Sequence, residues 1–292
     1  MTLRPVRVAV VGHVEWVQFA SVERVPSPGE IVHAEEWWDE PAGGGAVAAV
    51  WLARLAGEAD LFTAFGDDEI GRRAREELSA LGLRVHAVDR PEPQRRAFTF
   101  VDEEGERTIT VLGRRLAPSE DDPLPWERLE GADAVYFTAG DAGALRAARR
   151  ARVLTATPRA GEQTLVEGGV GLDALIGSAE DPGERLAPDA LDPPPRLVVS
   201  TSGSDGGSYT GADGVEGSWE AARPPGPIAD VYGAGDAFAA GLTYGLGEGR
   251  PIDAAIELAA RCGAACLSGR GAYEAQLALG GGVEPAGGGG SR

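Results

Sequence analysis

Asp230-Val-Tyr-Gly-Ala-Gly-Asp236, followed directly by Ala-Phe-Ala-Ala-Gly-Leu242, is the stretch on which the fold turns. Its glycines let the backbone bend tightly where a helix begins, which leaves the free N–H groups of Gly233, Ala234 and Gly235 pointing outward. A helix start of this kind attracts anions through unsatisfied donors and the helix dipole. Asp236 is expected to sit among those donors and to stay ionised there. It could then accept a proton from a hydroxyl while the amides hold a migrating phosphoryl group. An ordinary helix start with aspartate as its cap fits the same spacing, and spacing alone leaves both readings open.

Upstream of this turn, apolar runs alternate with helical stretches. Strands are expected at Val6–Val11, Leu61–Phe65, Arg84–Val88, Ala134–Thr138, Arg152–Thr155, Ala174–Ile176 and Leu197–Thr201. Helices fit Gly43–Leu55, Ala142–Arg150, Ala237–Leu246 and Asp253–Leu267. Another is expected to start at an Asp67 cap, end at Gly82 and bury Ile70, Ala74, Leu78 and Leu81. Strands alternating with helices imply a mostly parallel sheet covered on both faces, an α/β class.

One segment breaks that rhythm. Ala97–Val101 and Arg107–Val111 alternate in polarity around a turn at Gly105, which reads as an antiparallel hairpin. Ile31–Trp38 is also strand-like and carries Trp37 and Trp38. These pieces suggest a small β lid built from two distant segments, about 14–41 and 94–113, inside one domain over 1–279. Its apolar face needs a cover, and a homodimer through Trp37, Trp38, Phe98 and Phe100 would supply one. Asp181–Pro195 reads as a surface loop, and 280–292 as a flexible Gly-rich tail.

Composition narrows the function. The net charge of −19 over 292 residues opposes binding to nucleic acid or to anionic membranes. The chain has no lysine and no asparagine, so all 27 basic residues are arginine, and no lysine can clamp a phosphate. Cys262 and Cys266 are the two cysteines, four apart on one helix face with Ala255 and Leu258, and read as buried small hydrophobes. The opening apolar run ends at Gly12, too short for a membrane span and without a signal-cleavage pattern. A reduced, cytoplasmic setting is therefore expected.

The Asp230–Asp236 stretch resembles the D-T-x-G-A-G-D signature of the ribokinase-like (phosphofructokinase-B) sugar kinases, with Val231 in place of threonine. Further pieces follow in that family's order. Pro28-Gly-Glu30 and Ala42-Gly-Gly-Gly-Ala46 are similar to its amino-terminal glycine region. Phe65-Gly-Asp-Asp-Glu-Ile-Gly71 and Val101-Asp-Glu-Glu-Gly-Glu-Arg-Thr108 resemble its G-x-D-x-x-G stretch and lid strand. The resemblance implies ATP and a small hydroxylated substrate in neighbouring clefts beyond the strand ends. It implies Asp236 as base and Gly233, Ala234 and Gly235 as anion hole. Gly43, Gly44 and Gly45 would approach the substrate, Ser202, Gly203 and Ser204 would lie along the nucleotide, and Glu180 would serve Mg²⁺. The helix carrying Cys262 would wall the adenine pocket. Whether K⁺ is required stays open.

Departures from the pattern bear on the substrate. Glu15 and Val17 stand where the family has asparagine and a sugar-gripping aspartate, Val47 and Gly177 where it has asparagines. Losing one charge-assisted hydrogen bond costs roughly 1.5–3 kcal/mol, about one to two decades in affinity. Glu15 could restore it from the same strand face, His13 could line the same pocket, and Trp16 could stack on a ligand or pack in the core. The alternative to an active kinase of a sugar, nucleoside or related alcohol is a catalytically degenerate binding or regulatory protein of the same fold. A dinucleotide-dependent oxidoreductase is disfavoured, because no G-x-G-x-x-G follows the first strand.

Overall fold

The computed structural model describes residues 4–275, so the expected tail at 280–292 lies outside the described residues. In chain order the strands are β1 (Val8–Val11), β2 (Glu15–Ser21), β3 (Glu36–Ala42), β4 (Ala59–Gly66), β5 (Leu83–Arg90), β6 (Arg96–Val101) and β7 (Arg107–Leu112). They continue with β8 (Ala134–Phe137), β9 (Val153–Ala156), β10 (Ala174–Ser178), β11 (Leu197–Thr201), β12 (Gly207–Gly211) and β13 (Glu216–Trp219). The helices are α1 (Gly44–Ala56), α2 (Glu69–Ala80), α3 (Ala142–Ala148), α4 (Glu162–Gly168), α5 (Ala234–Glu248) and α6 (Ile252–Cys266).

Among the described residues these strands form two sheets. The larger has nine strands in the order β13-β12-β11-β10-β9-β8-β1-β4-β5. It is parallel from β5 to β11, and β12 and β13 extend it antiparallel. Alternate residues of β1 feed opposite layers, as the period of two requires. Val8 and Val10 pack with α1, α5 and α6, while Ala9 and Val11 pack with α3. Every strand of this parallel run therefore sends its carboxyl end to one edge, where connecting loops are free to bind ligands.

The second sheet has the order β3-β2-β6-β7. The hairpin of β6 and β7 is antiparallel, and its turn closes on Asp102, whose carboxylate accepts from the Glu106 amide at 2.9 Å. Rows of this sheet alternate. Val17, Phe19, Ala97, Thr99 and Val101 are buried against the body of the protein. Phe98 and Phe100 point outward and meet edge to face at 5.0 Å.

Several expected details shift. Trp37 is 77% exposed, but Trp38, one residue on, turns to the opposite face and stacks on Phe19 at 4.8 Å. Residues 31–35 are not strand; β3 begins later and runs to the glycines. The cap of α2 is Asp68, not Asp67: its carboxylate accepts from the Gly71 amide at 2.8 Å. Leu81 falls just beyond that helix and stays exposed, so the buried stripe ends at Leu78. No helix among the described residues is long and apolar enough to cross a membrane.

Candidate active site

Two glycine turns meet at the carboxyl edge of the large sheet. One leads into α1: Gly43, at φ 83°, precedes the helix, and Gly44 and Gly45 form its first residues. The other leads into α5: Gly233, at φ 81°, precedes Ala234, Gly235 and Asp236. Only glycine takes such angles without strain. A Cβ on Gly44 would stand 3.0 Å from Asp236 Oδ1, so the aspartate faces the start of α1 across a narrow gap. On Gly43 it would stand 3.1 Å from Glu15 Cγ, which places Glu15 at the same opening.

The second turn is held from behind. Asp230 is buried, and its two oxygens accept from the Tyr232 amide at 2.7 Å and the Gly271 amide at 2.6 Å. Tyr232 is buried as well, and its hydroxyl accepts from the Gly43 amide at 3.3 Å, tying one glycine turn to the other. Arg107, at the start of β7, donates to the Val231 carbonyl at 2.5 Å and so links the second sheet to the same loop. Above Gly235 lies open space: an added Cβ would meet nothing within 4 Å.

Asp236 is half-buried, and its carboxyl is pushed up to about 6. Burial is the largest cause and the charge of Glu184 adds to it, while Arg107 and Arg159 pull the other way. Asp236 is thus still mostly ionised at neutral pH, but the loss of water outweighs the nearby donors and cations, so its pKa is raised rather than held low. A pKa near 6 suits a general base at neutral pH, which must be ionised yet still basic.

Glu15 is buried beside His13 (3.5 Å) and Arg95 (2.7 Å). Burial opposes its ionisation, but His13, Arg95 and Arg115 outweigh that and hold its carboxyl below the usual range. His13 is pushed down chiefly by burial, and its Nδ1 has no hydrogen-bond partner. Val17 lies beneath them, wholly buried in the apolar core. It touches no open cleft, so Glu15 alone is the polar side chain that this strand presents there. Trp16 points to the other face, where Arg73 covers its ring at 4.4 Å, and so packs rather than stacks on a ligand.

Glu180 follows β10 and Ser202–Ser204 follow the adjacent β11. A Cβ on Gly203 would lie 3.5 Å from both Glu180 carboxylate oxygens, so these groups share one exposed corner. Cys262 is corrected. It is fully buried in α6 against Gly241 of α5 and lines no open pocket, because small residues let the two helices close on each other. Glu184 was missed by sequence reasoning. It accepts from the Ser178 amide and from Arg159 Nε, each at 2.7 Å, and it is the strongest charge acting on Asp236. Its signal was a third acid, four residues beyond Glu180 and three beyond Asp181.

A two-layered parallel α/β sheet, a second sheet reaching over its carboxyl edge, and an aspartate at a glycine-rich helix start together define a ribokinase-like fold. The pfkB family carbohydrate kinase model matches residues 6–167 and 171–278, and the chain belongs to that family of phosphotransferases. An ATP-dependent ribose-1-phosphate kinase of Halopiger xanaduensis is 30% identical over 94% of this chain and 96% of its own length. Arabidopsis thaliana ribokinase, solved with ribose and ATP, superposes with TM-score 0.72 at 18% identity, covering 94% of this chain and 96% of that one. Ribokinase of Cryptococcus neoformans, solved with ADP, gives 0.70 at 22% identity over 93% and 97%.

Proposed function

We propose that this kinase moves the γ-phosphoryl group of ATP onto a hydroxyl of a small sugar, nucleoside or related alcohol. The observation that carries this is the pairing of Asp236, facing Gly44 across the gap, with the unfilled space over Gly235 at the start of α5. The acceptor oxygen bonds to the γ-phosphorus as its bond to the ADP oxygen breaks, and the acceptor proton passes to Asp236. The Gly233, Ala234 and Gly235 backbone then faces the charge that spreads over the transferring oxygens. Glu15 and the approach of Gly43–Gly45 orient the acceptor, and Ser202–Ser204 lie along the nucleotide. Glu180, an exposed hard carboxylate beside that loop, fits Mg²⁺, which is held by one or two carboxylates plus substrate phosphates and neutralises their charge. A reaction that draws on ATP fits a cytoplasmic setting.

The names of the relatives point to a pentose acceptor. ATP consumption with Mg²⁺, with and without K⁺, over sugars, sugar phosphates, nucleosides and small alcohols tests the reading. Turnover on one acceptor class is expected. Tight ligand binding with no turnover on any of them would make the chain a degenerate binding protein instead.

The outer face of the second sheet supports a homodimer. Trp37 and Phe100 both pair with Ala20, Phe98 adjoins them, and Leu112 is 43% exposed in the next row. A dimeric mass is expected at micromolar concentration, shifting to monomer in Trp37→Glu; a monomeric wild type would refute it.

A further inference from the structure

Glu40 is a half-buried acid on β3, on the same inward face as Trp38 and Ala42 and shortly before the Gly43 turn. Its Oε1 accepts from the Ala272 amide, just beyond α6, at 2.9 Å. A Cβ on Gly271, at φ 64°, would stand 2.5 Å from that same oxygen, so only glycine lets the carboxylate come this close. Asp230 takes the neighbouring amide, that of Gly271, at 2.6 Å. Two consecutive amides are thus held by two carboxylates, one from the second sheet and one from the loop that leads to Gly233.

Ala272 meets the site from behind. It is wholly buried, and a Cβ on Gly233 would stand 3.2 Å from its methyl carbon. Its carbonyl accepts from Trp51 Nε1 of α1 at 3.2 Å. One residue therefore joins β3, the helix behind the first glycine turn, and the first residue of the second.

Holding it with an acid is costly. Burial pushes the Glu40 carboxyl up to about 7; the charges of Asp230 and of Glu77 on α2 add to this, while the Ala272 amide and Arg270 oppose it. Arg54 of α1, Cys266 of α6 and Tyr273 are the other titratable groups it acts on. Arg270 is shared, pairing with Glu36 at 3.1 Å and covering the Trp38 ring at 5.0 Å. What the charge adds is a bond to Ala272 about twice as strong as a neutral one. Stability given up for a firmer hold is the pattern of a group that serves function.

We infer that Glu40 is a positioning residue for phosphoryl transfer: by gripping the Ala272 amide it keeps Ala272 beneath Gly233 and so fixes the turn whose backbone faces the transferring group. This rests on the kinase reading for its readout in turnover, but not for its electrostatics.

The test compares wild type, Glu40→Ala, Glu40→Gln and Tyr273→Phe by steady-state kinetics and by denaturant midpoint across pH. Glu40→Ala should lower kcat and kcat/KM together by about tenfold with KM unchanged, as loss of a contribution made only in the transition state requires. Glu40→Gln, which keeps an acceptor oxygen, should recover kcat to within about threefold of wild type. Tyr273→Phe removes the neighbouring bond to the Pro41 carbonyl (2.7 Å) without touching the Ala272 amide, and should leave kcat within about twofold. A carboxyl raised from 4.5 to about 7 contributes stability below its unfolded pKa and loses it as pH rises through about 7. Glu40→Gln cannot lose it, so its midpoint should climb relative to wild type between about pH 6 and pH 8. Should Glu40→Ala not fold, Glu40→Asp, one methylene short of the amide, takes its place with the same expectation.

An unchanged kcat in Glu40→Ala, or a loss confined to KM, would overturn the inference. So would an equal loss in Tyr273→Phe, since the whole segment and not the Ala272 amide would then matter. Wild type without turnover on any acceptor would sink the kinase reading and leave the midpoints to decide: a difference that does not vary with pH would remove Glu40 from the turn.

Discussion

The two glycine turns of the site look alike in sequence and differ in what surrounds them. At the start of α1 the glycines are there because something already occupies the space. A Cβ on Gly45 would land 2.5 Å from the His13 carbonyl oxygen, and one on Gly12 would land 2.9 Å from the Gly45 Cα. At the start of α5, a Cβ on Gly235 would meet nothing within 4 Å. One turn is glycine-rich so that protein can pack against protein. The other packs Gly233 against Val47 and Ala272, at 3.1 and 3.2 Å from an added Cβ, but opens over Gly235, which is the arrangement a transferring phosphoryl group needs.

Substitutions at the two turns should therefore fail in different ways. Gly45→Ala forces backbone apart in a packed region and should cost about 1–3 kcal/mol or more, read as a lower denaturant midpoint. Unchanged stability would mean the close packing at α1 is illusory. Gly235→Ala should leave the midpoint unchanged or raise it, since alanine favours helix. Its kcat should nevertheless fall by about 100-fold, because a methyl group would misplace the reacting phosphoryl group. A fully active Gly235→Ala would show that nothing passes over that turn. The smallest effect belongs to Glu184→Gln. Its charge raises Asp236, and its loss also frees Arg159, so both changes lower the carboxyl from about 6. Because the base must be ionised, the acid limb of kcat/KM should move to lower pH. An unmoved limb would separate Glu184 from the base.

Much of this was legible in the sequence where the signal is local. The β11 strand was read at its observed ends, Leu197–Thr201. The hairpin of Ala97–Val101 and Arg107–Val111 was read to within a residue, because alternation and a turn glycine are short-range patterns. β2 was not read as a strand of its own, since Trp16, Val17 and Phe19 put apolar side chains on both faces and hide the period. β12 and β13 are rich in glycine, and their pairing with β11 is visible only in space. At the site, the Asp230–Asp236 turn was legible as a glycine-rich helix start, whereas Glu180 and Ser202–Ser204 were singled out only through the family resemblance, and their closeness is visible only in space. Cys262 and Val17 did not fit, because whether a small apolar residue lines a cleft or fills a core depends on what packs over it. The arginines at 95, 115 and 159 lie far apart in the chain, so no local pattern could bring them together.

The most direct test is the turnover of Asp236→Asn on whichever acceptor the wild type prefers, with thermal stability measured alongside. Loss of the general base should lower kcat by about two to four decades. Stability should move the other way at neutral pH. A carboxyl raised from 3.8 to about 6 on folding contributes stability below its unfolded pKa and loses it as pH rises through about 6. Removing that charge should thus stabilise the fold at pH 7 while stopping the chemistry. A variant that keeps more than about half the wild-type rate would contradict the account, because Asp236 could not then be the group that takes the proton.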